Sequence, residues 1–182
     1  MLIGTSGQAG AFSRAIVRGM AEHVRRPVIF LLSNPTERAE ATPHDLDVWT
    51  EGRAVIGTGS PFPPLKRAGK SFRVDQTNNA YVYPGIGLGA IVADARRISD
   101  RMFLAAARTI AELSPAKRDP DANLLAPLVE IRRLSFHVAL AVAKQAQAEG
   151  LAAPLSDEAL AAAVRAKMWE PLYANYRRLS PA

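Results

Sequence analysis

Five apolar residues in succession, Val28-Ile29-Phe30-Leu31-Leu32, run straight into Ser33-Asn34-Pro35-Thr36. An uninterrupted apolar run of this length, ended by a turn signal, reads as a strand buried on both faces, as at the centre of a parallel sheet. Pro35 has no amide hydrogen for a sheet ladder, and it drives Asn34 towards an extended or turn conformation. A carboxamide therefore stands where the buried strand stops. Open α/β sheets bind ligands in the crevice beyond the carboxyl ends of their strands, which makes Asn34 a candidate ligand contact. An Asn-Pro turn with no ligand accounts for the same residues.

The flanks fit that sheet. Met1-Leu2-Ile3 is short for a central strand, yet it leads through Gly4-Thr5-Ser6-Gly7-Gln8-Ala9-Gly10 into a helical pattern. Phe12, Ile16, Val17 and Met20 recur at helical spacing, and Pro27 follows the end. The chain thus reads as starting inside a strand, as though an earlier part of the sheet were missing. The glycines are spaced G-x-x-G-x-x-G rather than as the G-x-G-x-x-G dinucleotide fingerprint. Free amides at this helix start suit a cofactor, and a tight turn explains them equally well. Downstream, Thr42 is an N-cap, Pro43 the first helical residue and Asp45 a favourable first-turn acid. Leu46 and Trp49 give this short helix its apolar side, and Gly52 closes it. Ala54 to Gly59 is a second short apolar run. Two strands joined by such a helix form a βαβ unit whose strand ends open on one edge.

Ser60 to Pro64 is a proline-rich loop, and Lys66 to Val74 reads as a small hairpin around Ala68-Gly69. Next come Asn78 and Asn79. A carboxamide both donates and accepts, so such a pair orients a carboxylate or carboxamide without adding charge. Helix capping is the plainer reading of the same two residues. The apolar helix that starts at Tyr83-Pro84 contains Gly85, Gly87 and Gly89, each costing up to about 1 kcal/mol relative to alanine. Close approach to a neighbouring helix or to a bound cofactor would offset that cost. Two longer helices are expected, Ser99-Asp100 to Leu113 and Pro127 to Glu149, the second striped by Leu128, Ile131, Leu134, Val138, Ala141 and Val142. His137 lies off that stripe and reads as structural. The aromatic tail Met168 to Tyr176 suits docking on another surface, its own or a partner's.

Composition excludes several classes. With 48% apolar and 22% charged residues in 182, the chain suits an ordinary globular core. It has no cysteine, and its three histidines form no metal motif. No apolar run nears the roughly 20 residues of a membrane span, and Met1 to Gly10 lacks the features of a signal peptide. A cytoplasmic setting is therefore expected. Lys plus Arg outnumber Asp plus Glu, 23 to 17. The basic residues are scattered without interleaved aromatics, which favours solvated helix faces or subunit contacts over nucleic acid.

Taken together, Gly4-Thr5-Ser6-Gly7-Gln8, Leu32-Ser33-Asn34-Pro35-Thr36, Thr58-Gly59-Ser60-Pro61-Phe62, Asn78-Asn79-Ala80-Tyr81-Val82-Tyr83-Pro84-Gly85 and Met168-Trp169 resemble malic enzyme in order and spacing. The likeness covers essentially the whole chain, and it is closer to the larger, NAD-preferring group than to the shorter bacterial one. It implies an α/β fold: a partial Rossmann-like sheet, doubly wound and mainly parallel, with C-terminal helices. Residues 1-95 would be the C-terminal portion of an NAD(P)-binding domain, and 96-182 a helical region packed on it in the same structural unit.

The activity so implied is NAD-dependent oxidative decarboxylation of (S)-malate to pyruvate and CO2, with NADP left open and homo-oligomers expected. By the same likeness Asn34, Asn78 and Asn79 would bind substrate. Thr5, Ser6, Leu32, Ser33, Asn34 and Asn79 would line the cofactor. The family's base lysine, tyrosine acid and carboxylates for Mg2+ or Mn2+ have no counterpart here, so the chain alone is expected to be inactive. Two rival readings are a non-catalytic nucleotide-binding or regulatory module of the same ancestry and an unrelated helical protein that binds nucleic acid. An open sheet edge is expected to favour dimerisation.

Overall fold

The structure, a computed structural model, describes residues 1–120 and 122–173. The apolar run forms β2 (Val28–Leu31), which lies between β1 (Leu2–Gly4) and β3 (Val55–Thr58). With β6 (Asp75–Gln76) they make a four-stranded sheet of order β1-β2-β3-β6, parallel throughout. Ile29 aligns with Leu2 and Ile56, and Leu31 with Gly4 and Thr58. Between β3 and β6 the chain forms a hairpin of β4 (Leu65–Arg67) and β5 (Lys70–Phe72). Its turn is made by Ala68 and Gly69, both at positive φ.

Helices α1 (Arg14–His23) and α2 (Pro43–Trp49) connect the first three strands. The Ser13 hydroxyl accepts from the Ile16 amide to start α1, and Thr42 accepts from Asp45 to start α2, with Pro43 in its first turn. Both helices pack on one face of the sheet, where Val17 and Leu46 join Ile29, Leu31 and Ile56. The physical reason is handedness. Both crossovers advance in the same direction, and right-handed connections then put both helices on the same side. The opposite face differs from the sequence expectation of two buried faces: Val28 and Phe30 are only half-buried, and Ile3 on the edge strand is 51% exposed.

A second core is helical. It consists of α3 (Tyr83–Val92), α4 (Asp100–Glu112), α5 (Ile131–Ala148) and α6 (Asp157–Lys167), packed around Ile86, Met102, Leu134, Val138, Val142 and Leu160. Each such side chain contributes roughly 1.5–3 kcal/mol on full burial. Two of the α3 glycines are explained by α5. A Cβ on Gly85 would lie 2.6 Å from the Cβ of Val138, and one on Gly89 only 2.5 Å from the Ala139 carbonyl oxygen. The close neighbour is thus a helix, and α3 shares its core with the helices that follow it.

The helix expected from Pro127 begins with a 3-10 turn, Leu128–Glu130, before α5 proper. Helix α6 adds to the elements that periodicity delimits. Its signals are Ser156 as N-cap, Asp157 and Glu158 in the first turn, and Leu160 and Val164 four residues apart. After it, Trp169, Leu172 and Tyr173 stand exposed; the rest of the aromatic tail, from Ala174, lies outside the described residues.

Candidate functional site

Because the sheet is parallel, the loops after β1, β2, β3 and β6 all leave its carboxyl edge. Thr5 and Ser6 follow β1; Leu32, Ser33 and Asn34 follow β2; Gly59 and Ser60 follow β3; Thr77, Asn78 and Asn79 follow β6. Backbone bonds carry the ladder into these loops: Leu32 N donates to Gly4 O (2.9 Å), Gly59 N to Leu31 O (2.7 Å) and Thr77 N to Thr58 O (2.7 Å). All the residues predicted to touch ligand therefore lie along one rim.

The first two loops are locked by a residue that periodicity does not single out. Glu40 is fully buried, 0% exposed. Its Oε1 accepts from the Ser6 amide (2.8 Å), the Ser6 hydroxyl (2.9 Å) and the Ser33 hydroxyl (2.5 Å). Burial on its own would raise the Glu40 pKa. The donors from Ser33, its own backbone and Ser6 outweigh that, and the carboxyl is held below its ordinary value. The Glu40 side chain lies against Gly4, where a Cβ would come within 2.4 Å of its Cδ. The sequence offers one signal for it, an acid between apolar Ala39 and Ala41.

This arrangement settles what the two serines can do. The Ser33 hydroxyl donates to Glu40 and accepts from the Gly7 amide at 2.9 Å. That of Ser6 donates to Glu40 and accepts from the Gln8 amide at 3.2 Å. Each has spent its only proton inside the protein.

Asn34 sits next along the rim and is exposed. Its Oδ1 accepts from the Ser60 hydroxyl (2.5 Å), and its Nδ2 donates weakly to Leu32 O (3.3 Å). A carbonyl can only accept, so this contact fixes which end of the amide is nitrogen and leaves a second N–H for a ligand. The close packing needs Gly59, where a Cβ would lie 2.4 Å from Leu32 O. Asn78 behaves differently. Its Oδ1 accepts from the Ala80 amide (2.9 Å) and caps the 3-10 turn Asn79–Tyr81, so the plainer reading describes this side chain as it stands. Asn79 is exposed in that turn. The three carboxamides thus occupy two loops of one edge, after β2 and after β6, with the β3 loop between them, and do not bond to each other.

Among the described residues, no group of three or more His, Asp or Glu side chains is placed to hold a metal ion. No helix of the described residues is long and apolar enough to cross a membrane.

A parallel sheet with βαβ crossovers and polar loops along its carboxyl edge defines a Rossmann-like nucleotide-binding class. Residues 1–147 match the family model described as "Malic enzyme, NAD binding domain", and the chain belongs to that family. NAD-dependent malic enzymes of Edwardsiella ictaluri and Pseudomonas syringae pv. tomato are each 48% identical over 180 residues, 99% of this chain and 32% of theirs. The chain therefore spans about a third of the length of these relatives. Among solved structures, the malic enzyme of Pyrococcus horikoshii superposes with a TM-score of 0.70 at 25% identity, covering 91% of this chain and 34% of that one. The Entamoeba histolytica malic enzyme gives 0.68 at 28%, covering 86% and 29%. The expected malic enzyme resemblance and the Rossmann-like class are both borne out.

Proposed function

We propose that the carboxyl-edge crevice binds NAD and (S)-malate as part of an NAD-dependent malic enzyme that forms pyruvate and CO2. The observation that carries this reading is the Glu40 lock, which sets the loops after β1 and β2 side by side on the carboxyl rim of a chain that matches the family's NAD-binding domain. NAD, when bound, accepts the hydride from C2 of malate. The chain's own residues hold and orient the reactants, and positioning of this kind supplies a large share of a rate enhancement.

In this reading the backbone at Thr5, Ser6, Leu32 and Ser33 shapes the cofactor wall. Neither serine has a hydroxyl proton to offer. The free N–H of Asn34 and the exposed carboxamide of Asn79 orient the nicotinamide end and the malate carboxylate. Asn78 joins the substrate contacts only by releasing its cap on Ala80. The described residues do not fit a divalent metal, so no step is routed through one. Among the described residues the rim offers no acid–base pair, and in this reading the 182-residue chain is inactive by itself. Self-association belongs to the same proposal, since β1 is an edge strand with Ile3 half exposed; sedimentation showing monomer alone would contradict it.

Calorimetric titration with NAD tests the reading. Saturable binding is expected, weakened about tenfold by Asn34→Ala, with no turnover when malate and Mn2+ are added. Absence of NAD binding by the folded chain would overturn it, as would an affinity indifferent to Asn34.

A further inference from the structure

Between the two loops that carry the carboxamides stands the loop after β3, and its Ser60 is held more firmly than the residue it touches. Gly59 N donates to Leu31 O of β2 (2.7 Å), and Gln76 Nε2 of β6 donates to Gly59 O (3.2 Å). A Cβ on Gly59 would lie 2.4 Å from Leu32 O and 3.0 Å from Asn34 Nδ2, so a side chain there would push the loop away from Asn34. Ser60 is buried, 7% exposed, whereas Asn34 beside it is exposed. A buried hydroxyl, on a loop fastened to the strands on either side, thus meets an exposed carboxamide.

An exposed asparagine has two ways round. Half a turn of its amide exchanges oxygen for nitrogen with almost no change of shape, and a ligand then meets an acceptor instead of a donor. Both contacts of Asn34 oppose that exchange. Leu32 O cannot donate, so the Asn34 atom 3.3 Å from it is the nitrogen. The Ser60 hydroxyl has one proton, and Asn34 Oδ1 at 2.5 Å is its acceptor among the described residues. The turned amide would press two carbonyl oxygens together and leave a buried hydroxyl proton unpaired, which costs more than losing an exposed bond. Of the two contacts the one to Leu32 O is long, so the serine does most of the orienting.

We propose that Ser60 is a positioning residue: through Asn34 it makes the rim present an N–H, so that the ligand is read there by an acceptor oxygen. That oxygen belongs to the nicotinamide carbonyl or to a malate carboxylate. The proposal rests on the reading that the crevice takes NAD and malate, and adds which kind of ligand atom faces Asn34. Ser60 has given its proton to Asn34, so its influence on the ligand passes through that side chain.

The test is a double-variant cycle read by calorimetry on the whole chain. NAD is titrated into the wild type, Ser60→Ala, Asn34→Ala and the variant with both changes, and malate is then titrated into each chain saturated with NAD. Ser60→Ala is expected to weaken binding about fivefold, as befits one misdirected hydrogen bond. On top of Asn34→Ala it should add nothing, because the serine acts only through the amide. Asn34→Asp still accepts from Ser60 but has no N–H to offer, and should bind at least as weakly as Asn34→Ala. Thionicotinamide adenine dinucleotide, whose sulfur is a poor acceptor, identifies the oxygen. Weaker binding than NAD in the wild type, with the gap closed in Ser60→Ala, assigns it to the nicotinamide carbonyl. Equal binding, with the loss in Ser60→Ala confined to the malate titration, assigns it to a malate carboxylate. Losses that multiply in the double variant would overturn the proposal, since Ser60 would then act independently of Asn34. Wild-type affinity in Asn34→Asp would overturn it whatever Ser60→Ala does. Binding that depends on Asn34 and not on Ser60 would overturn the proposal alone, whereas a folded wild type that binds no NAD would overturn the reading of the crevice with it.

Discussion

Glu40 is where a single side chain does most for the candidate site. It is a buried carboxylate held ionised by hydrogen bonds from two different loops, so replacing it removes support from both at once. Glu40→Ala should cost about 2 kcal/mol or more in urea unfolding, since bonds to a charged group are worth roughly 1.5–3 kcal/mol. The pH dependence has a definite sign. A carboxyl whose folded pKa is depressed contributes stability above its unfolded value, and loses that contribution as pH falls through the folded one. With a reference value of 4.5 for Glu40, unfolding free energy should decline as the pH drops below that point. Glu40→Gln should flatten this part of the profile, which parallel urea titrations between neutral and acid pH would show. Gly4→Ala makes the complementary test from the backbone side, because the added methyl overlaps the carboxyl group. A loss of about 1–3 kcal/mol is expected, as for other overpacked sites.

Among the elements, the α3–α5 contact separates packing from propensity. Gly85, Gly87 and Gly89 are alike in the sequence and unlike in the fold. Cβ atoms on Gly85 and Gly89 would strike α5, whereas one on Gly87 meets nothing within 4 Å. Gly87→Ala should therefore raise stability by about 0.5–1 kcal/mol through helix propensity. Gly85→Ala and Gly89→Ala should lower it by about 1–3 kcal/mol, by forcing the helices apart. Thermal melts of the three variants decide the matter, and a uniform response would contradict the contact. Periodicity delimited α1, α2, α4 and α5 to within a few residues, and the β4–β5 hairpin showed in its Ala-Gly turn. Which face each element covers was beyond it: β2 reads as buried on both sides, yet only its Ile29 and Leu31 face lies beneath α1 and α2.

At the scale of the molecule, the sheet core and the helical core meet along a seam that starts at β6. Asp75 accepts from the Leu124 amide and pairs with Arg73, the Asn123 side chain donates to Arg73 O (2.9 Å), and the Tyr81 hydroxyl donates to Ala126 O (2.6 Å). Burial raises the Tyr81 pKa above its usual value, with Arg73 partly opposing and Asp75 adding to the rise. Because Asp75 is buried, Asp75→Asn gives up the ion pair where solvent cannot replace it, and a cost of about 2 kcal/mol is expected. Hydrogen exchange should show faster opening of residues near 122–126 than of the α3–α5 contact. Equal acceleration throughout would show that the seam does not join two separable cores.

The sequence alone determined the strand–helix alternation, the parallel class and the placing of Thr5, Ser6, Leu32, Ser33 and Asn34 at strand ends, because apolar period and proline or glycine punctuation are local properties of the chain; that Asn78 and Asn79 follow a strand, β6, came from the fold. Tertiary structure alone decided that Glu40 turns inward to take the protons of both serines, and that Asn78 closes on Ala80 while Asn34 binds Ser60. These outcomes depend on which loops the β1-β2-β3-β6 order sets side by side, and hydrogen bonds and charge reach only a few ångströms. Residues tens of positions apart become partners only after the sheet has formed.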